Sequence, residues 1–135
     1  MKILAIYRQL LSKIGLWLLG RGARTLPVSP SAVQKIEKWI SEKGWTEECD
    51  METAADKIGV TREQLSAFFR HNFKQNFREW RKLMRIEEAK KMLLEDYSIS
   101  ATAVGESVGI ADKSNFRRQF KEITGYTPSE WRLKH

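Results

Sequence analysis

The tripeptide Glu-Trp-Arg occurs twice in this chain, as Glu79-Trp80-Arg81 and as Glu130-Trp131-Arg132, 51 residues apart. At the same offset Leu65 falls on Phe116, Phe69 on Phe120, Arg70 on Lys121 and Phe77 on Pro128. Further upstream the offset is 50, and Ala55 falls on Gly105, Ile58 on Val108, Gly59 on Gly109 and Val60 on Ile110. Each copy therefore reads as a short helix, a glycine turn, a second helix and an aromatic anchor. That is a helix-turn-helix, present twice. Glycine suits the turn because the residue ending the first helix must adopt a left-handed conformation, which Gly reaches cheaply.

The apolar spacing from Ser31 to Arg132 is helical throughout. Ser31 followed by Gln34 has the capping-box pattern and predicts a helix start, with Val33, Ile36 and Ile40 as the apolar stripe and an end near Gly44. Asp50 to Thr53 predicts the start of a short helix whose Ala54, Ala55 and Ile58 face inward, stopped by Gly59. Thr61 is the expected cap of the next helix, with Leu65, Phe68 and Phe69 on its buried side. A longer helix is expected from about Phe77 to Leu94, with Trp80, Leu83, Ile86, Ala89 and Leu93 on one face. Ser100 to Val108 repeats the short helix, and Asp112 or Ser114 caps a helix carrying Phe116 and Phe120.

Residues 1–30 read as an appendage to a domain spanning 31–135. Ile3, Tyr7, Leu10, Ile14 and Trp17 form one helical face, widened by Leu4, Leu11 and Leu18. Arg8 and Lys13 interrupt it, so it makes neither a membrane span nor a good signal peptide. So much apolar surface should be covered, so residues 1–20 are expected to mediate weak self-association or membrane contact. Arg21 to Ser31 reads as a linker.

Charge is arranged in blocks. Residues 1–30 carry net +5, 31–60 net −3, 61–91 net +5, 92–112 net −4 and 113–135 net +4, giving +7 overall. A basic balance of this kind points to an anionic partner, and its alternation fits selected segments presented twice to one polyanion. Cys49 is the single cysteine, which excludes an internal disulfide and a cysteine-based zinc site. His71 and His135 are too few to build a metal site, so no metal or cofactor is expected. The chain carries no nucleophile–base pair, carboxylate pair or phosphate loop, and no catalytic residue is assigned. It does not read as an enzyme.

The sequence resembles the DNA-binding domain of the AraC/XylS family of bacterial transcription regulators. The resemblance is carried by Arg85-Ile86-Glu87-Glu88-Ala89-Lys90-Lys91-Met92-Leu93-Leu94, Ser98-Ile99-Ser100, Val108-Gly109-Ile110 and Asn115-Phe116-Arg117-Arg118-Gln119-Phe120-Lys121. It closes with Ile123-Thr124-Gly125-Tyr126-Thr127-Pro128-Ser129-Glu130-Trp131-Arg132 and extends over about Ser31 to Arg132. It implies an all-α, homeodomain-like fold: two helix-turn-helix subdomains, at about 50–75 and 100–124, joined by a long linker helix at about 77–95. The chain departs from the family at Lys74 and Gly105, where Gly and Ala are usual, and at Ile110, where Phe is usual. Gly105 is expected to weaken its helix by roughly 0.5–1 kcal/mol relative to Ala.

The resemblance also implies a cytoplasmic, sequence-specific regulator whose two recognition helices enter successive major grooves of double-stranded DNA, roughly 34 Å apart. The matching base-reading positions are Glu63, Ser66 and Ala67 in the first head and Lys113, Ser114, Arg117 and Arg118 in the second. Phosphate contacts are expected from Arg62, Arg70, Lys74 and Lys121, with the helix starts near Thr61 and Ser100. The second head is expected to read more sequence, since Ala67 offers only an apolar contact. RNA polymerase is a further implied partner. The competing reading is a membrane-tethered or protein-interaction module in which the duplicated domain is degenerate.

Overall fold

The computed structural model describes residues 28–135; the amphipathic seam at residues 1–20 and most of the expected linker lie outside them. Among the described residues there are seven α-helices and no strand. They are α1 (Pro30–Ser41), α2 (Met51–Ile58), α3 (Arg62–Phe73), α4 (Phe77–Glu95), α5 (Ala101–Ser107), α6 (Lys113–Thr124) and α7 (Pro128–Lys134), with a 3₁₀ turn at Gly44–Thr46.

Short polar side chains set most of the starts. The Asp50 carboxylate accepts from Thr53 N at 2.7 Å, Ser100 Oγ from Ala103 N at 3.1 Å, and Asp112 Oδ1 from Asn115 N at 2.6 Å. Thr61 and Gln64 cap each other reciprocally at the head of α3, and Thr127 and Glu130 do so at α7. The start of α1 differs from the sequence expectation. Its cap is Ser29, whose Oγ accepts from Ala32 N at 3.2 Å, and Ser31 is already helical. Pro30 explains the shift: at the first helical position its ring presets φ and its missing N–H removes no helical bond. Val28 is buried rather than part of a linker, and with Val33 it occupies the two positions of a hydrophobic staple.

The described chain forms two units. The first runs up to Gly44 and then from Cys49 to Trp80. Its core is built from Val33, Ile36, Ile40, Ala54, Ala55, Leu65 and Phe68, joined by an aromatic cluster. Phe69 lies at its centre, with its ring centroid 4.4 Å from Trp80 and 5.5 Å from Phe77.

The second unit comprises Trp45–Glu48 and Arg81–His135. Ile86, Ala89, Leu93, Val104, Val108, Ile110, Phe116 and Phe120 are buried together in it. Trp80, Ile86, Ala89 and Leu93 are buried on α4 as expected, and one position of that face differs. Leu83 is exposed and Met84 is buried, because Met84, four residues after Trp80, continues its line more closely than Leu83. Arg85 ties the short 45–47 segment into this unit, its Nε donating to Trp45 O at 2.7 Å and its Nη2 to Glu47 O at 2.6 Å. Arg132 does the same for the loop after α4, donating to the carbonyls of Leu93, Asp96 and Ile99.

The two turn glycines agree with the repeat. Gly59 has φ +89° and Gly109 φ +91°. Gly109 has a second constraint, since a side-chain carbon there would overlap the carbonyl oxygen of Thr46 and stand 2.9 Å from Arg85 Nη2.

Candidate nucleic-acid interface

Packing decides which side of α3 is left for a partner. Leu65, Phe68 and Phe69 are fully buried, so the opposite side faces out. Arg62, Glu63, Ser66, Ala67, Arg70, His71 and Lys74 line one surface recess there. Ser66 and Ala67 sit half-buried at its middle, while Arg62, Glu63, Arg70, His71 and Lys74 are exposed. All six positions expected to touch DNA in the first head thus share one face. His71 joins them, and no role was assigned to it from sequence. Its spacing, four residues after Ala67 and three before Lys74, was the available signal.

Lys74 ends α3 in the left-handed conformation, with φ +55° and ψ +28°. The repeat-related residue at the end of α6 is Gly125, also left-handed at φ +83°. One copy thus meets the requirement with glycine, and the other holds a lysine there against its conformational preference.

In α6, Phe116 and Phe120 are buried, and Lys113, Ser114, Arg117, Arg118 and Lys121 are all exposed. The helix start is fixed by Asp112, which sets the direction of Lys113 and Ser114. Asn115 Oδ1 accepts from Arg118 Nη2 at 2.6 Å and from Gln119 Nε2 at 3.0 Å. Glu122 Oε1 lies 3.9 Å from Arg118 Nη1, and its Oε2 accepts from Lys82 Nζ at 3.0 Å. The hydrogen bond from Lys82 and then its charge, with Arg118 behind them, hold the Glu122 carboxyl below the usual carboxylate range. The Arg118 side chain stays 66% exposed, so this loose pair leaves it able to turn outward.

The two faces differ chemically. That of α3 mixes three fixed cations and one histidine with one acid, Glu63. That of α6 carries four cations and Ser114, with Glu122 beside Arg118. Among the described residues no cluster of three or more His, Cys, Asp or Glu could hold a metal ion, and no helix is long and apolar enough to cross a membrane.

A family model described as a helix-turn-helix domain matches residues 54–134. The arabinose operon regulatory protein of Salmonella typhimurium is 32% identical over 106 residues, 78% of this chain and 37% of its own length. The chain thus spans little more than a third of that curated relative. The solved C-terminal domain of the two-component response regulator yesN from Fusobacterium nucleatum is 26% identical, with a TM-score of 0.63 over 73% of this chain and 96% of that one. The DNA-binding domain of AdpA, solved in complex with a target DNA, shares the fold with a TM-score of 0.66 over 78% of this chain and 93% of that one, at 20% identity.

Proposed function

Because the chain belongs to the AraC/XylS family and carries its helix-turn-helix DNA-binding domain, we propose that it is a sequence-specific transcription regulator that docks α3 and α6 in successive major grooves. The observation that carries this reading is the division of both helices. Each seals one side into a core with aromatic rings and presents cations on the other. A helix with this division fits the major groove, which is wide enough to admit it and lined by phosphates on both rims.

The roles follow from donor chemistry. Lys113, Arg117 and Arg118 donate to guanine O6 and N7, and Ser114 and Ser66 serve several bases. Glu63 accepts from a cytosine amino group, and Ala67 packs on a thymine methyl. Arg62, Arg70, Lys74 and Lys121 bind phosphates and set register without reading sequence. With three long cationic donors against one acid and one methyl, the second head reads more sequence than the first. The protein acts in the cytoplasm without enzymatic activity of its own, with RNA polymerase as its functional partner. The apolar seam at residues 1–20 serves weak self-association or contact with a membrane.

The test is selection of bound duplexes from a random pool. The expected result is an enriched site with two conserved segments about one helical turn apart, the better defined one relaxed at one position in the Arg118→Ala variant. A pool that shows no enrichment over its starting composition overturns the reading.

A further inference from the structure

Six of the seven residues lining the recess on α3 have a role in that reading, and His71 has none. It lies in the last turn of the helix, exposed, one turn after Ala67 and one turn before Lys74. Among the described residues it has no hydrogen-bonding or ion-pair partner. A recognition helix reads bases with its N-terminal residues, so its C-terminal end runs out toward the backbone of the duplex. Lys74 stands beside it, where the chain leaves the helix in the left-handed conformation.

We infer that His71 is a pH-dependent contact to a backbone phosphate, donating to it as the imidazolium beside Lys74. The inference rests on α3 being a DNA-reading helix. The charged groups that line the recess with His71 are Arg62, Glu63, Arg70 and Lys74, all on α3 itself; α1 and α2 contribute none to its lining. A phosphate placed against this group favours the charged ring over the neutral one, so binding takes up a proton. The gain in affinity is therefore expected on the acid side, where an imidazole can carry charge, and absent where it is neutral. Neutral His71 still occupies the space but contributes no charge, so one counterion fewer is released.

The experiment measures binding of the full chain to its selected duplex by fluorescence anisotropy, at about pH 8 and about pH 5.5 and over a range of salt. Wild type should bind roughly threefold to tenfold tighter at the lower pH, with a log–log salt slope steeper by about one. His71→Gln should lose this response, and His71→Lys should bind at the higher pH as wild type does at the lower, with no further gain. His135→Gln should keep the wild-type profile, since that ring is stacked on Trp131 in the second unit. A His71→Gln variant with the wild-type pH profile overturns the inference while leaving the DNA-reading helix standing. A wild type that binds no duplex at either pH overturns both.

Discussion

Gly105 carries no side chain because Phe116 occupies the space one would need. A methyl group on Gly105 would stand 2.8 Å from Phe116 Cγ and 3.0 Å from the carbonyl oxygen of Ile110. In the first copy the related pair is Ala55 and Leu65, both buried. The repeat has thus exchanged small-and-medium for smaller-and-larger at one contact between its two helices. Gly105→Ala should destabilise the second unit by about 1–3 kcal/mol despite the better helix propensity of alanine. Phe116→Leu alone should also cost about 1–2 kcal/mol, and the double variant less than the two together. Urea denaturation of the four proteins checks this; additive losses would mean the two side chains do not share the space.

Lys74 sets stability against binding. Lys74→Gly places at the end of α3 the residue that ends α6, and should stabilise the first unit by about 0.5–1 kcal/mol. The same change removes a cation from the recess and should weaken binding to all duplexes alike, lowering the salt slope by about one. Thermal unfolding and anisotropy should therefore move in opposite directions. A variant both less stable and fully competent to bind would mean that lysine is there for the helix and not for DNA.

The parts legible in the sequence were those settled within a few residues. Asp50, Thr61, Ser100 and Asp112 cap helices through contacts three positions away, so the residue type alone identifies them. Six of the seven recess residues on α3 were legible for the same reason, because a buried Leu65, Phe68 and Phe69 leave only one other side of the helix. What escaped depended on something distant or on competition between neighbours. Ser29 displaced Ser31 as a cap because Pro30 stands between them. Met84 displaced Leu83 from the core, a matter of one helical position that tertiary packing decides. The helix propensity of Gly105 says nothing of Phe116, eleven residues on, which fills the space beside it. Nothing local signals that Arg85 reaches Trp45 and Glu47, forty and thirty-eight residues earlier.

Acid should loosen the second unit first through three carboxylates. Glu122 is held below the usual range by Lys82, Asp96 by hydrogen bonds from Ser98, and Glu130 by its capping bonds with Thr127. For a carboxyl depressed in the folded state, the stabilisation is complete above the ordinary carboxylate range and is lost as pH falls through the depressed value. Melting temperature should thus be level near neutrality and fall below the ordinary carboxylate range. Glu122→Gln should lower the melting temperature slightly at neutral pH and flatten the acid fall by the same small amount, because the pair with Lys82 is exposed. An unchanged acid limb in Glu122→Gln would remove the Lys82 contact from the explanation.

Arg118 and Lys121 sit three residues apart on α6, both exposed, and should nevertheless fail differently when truncated. The guanidinium of Arg118 is steadied by Asn115 Oδ1 at 2.6 Å, which limits its rotamers without burying it. A planar fork restrained in this way can make the paired hydrogen bonds that guanine O6 and N7 offer. Lys121 stands in the last turn of α6, and the proposed reading gives its flexible ammonium to backbone phosphates rather than base edges. Arg118→Ala should cost about 1–3 kcal/mol on the preferred duplex and little on one altered at the contacted base pair, so that preference at that position relaxes. Lys121→Ala should weaken every duplex by a similar factor and lower the salt slope by about one. Asn115→Ala, which releases the guanidinium without removing it, should fall between wild type and Arg118→Ala on the preferred duplex alone. Competition binding against single-position variants of the selected site distinguishes these outcomes. Equal, sequence-independent losses from Arg118→Ala and Lys121→Ala would place both side chains on the backbone and leave base reading in this head to Lys113, Ser114 and Arg117.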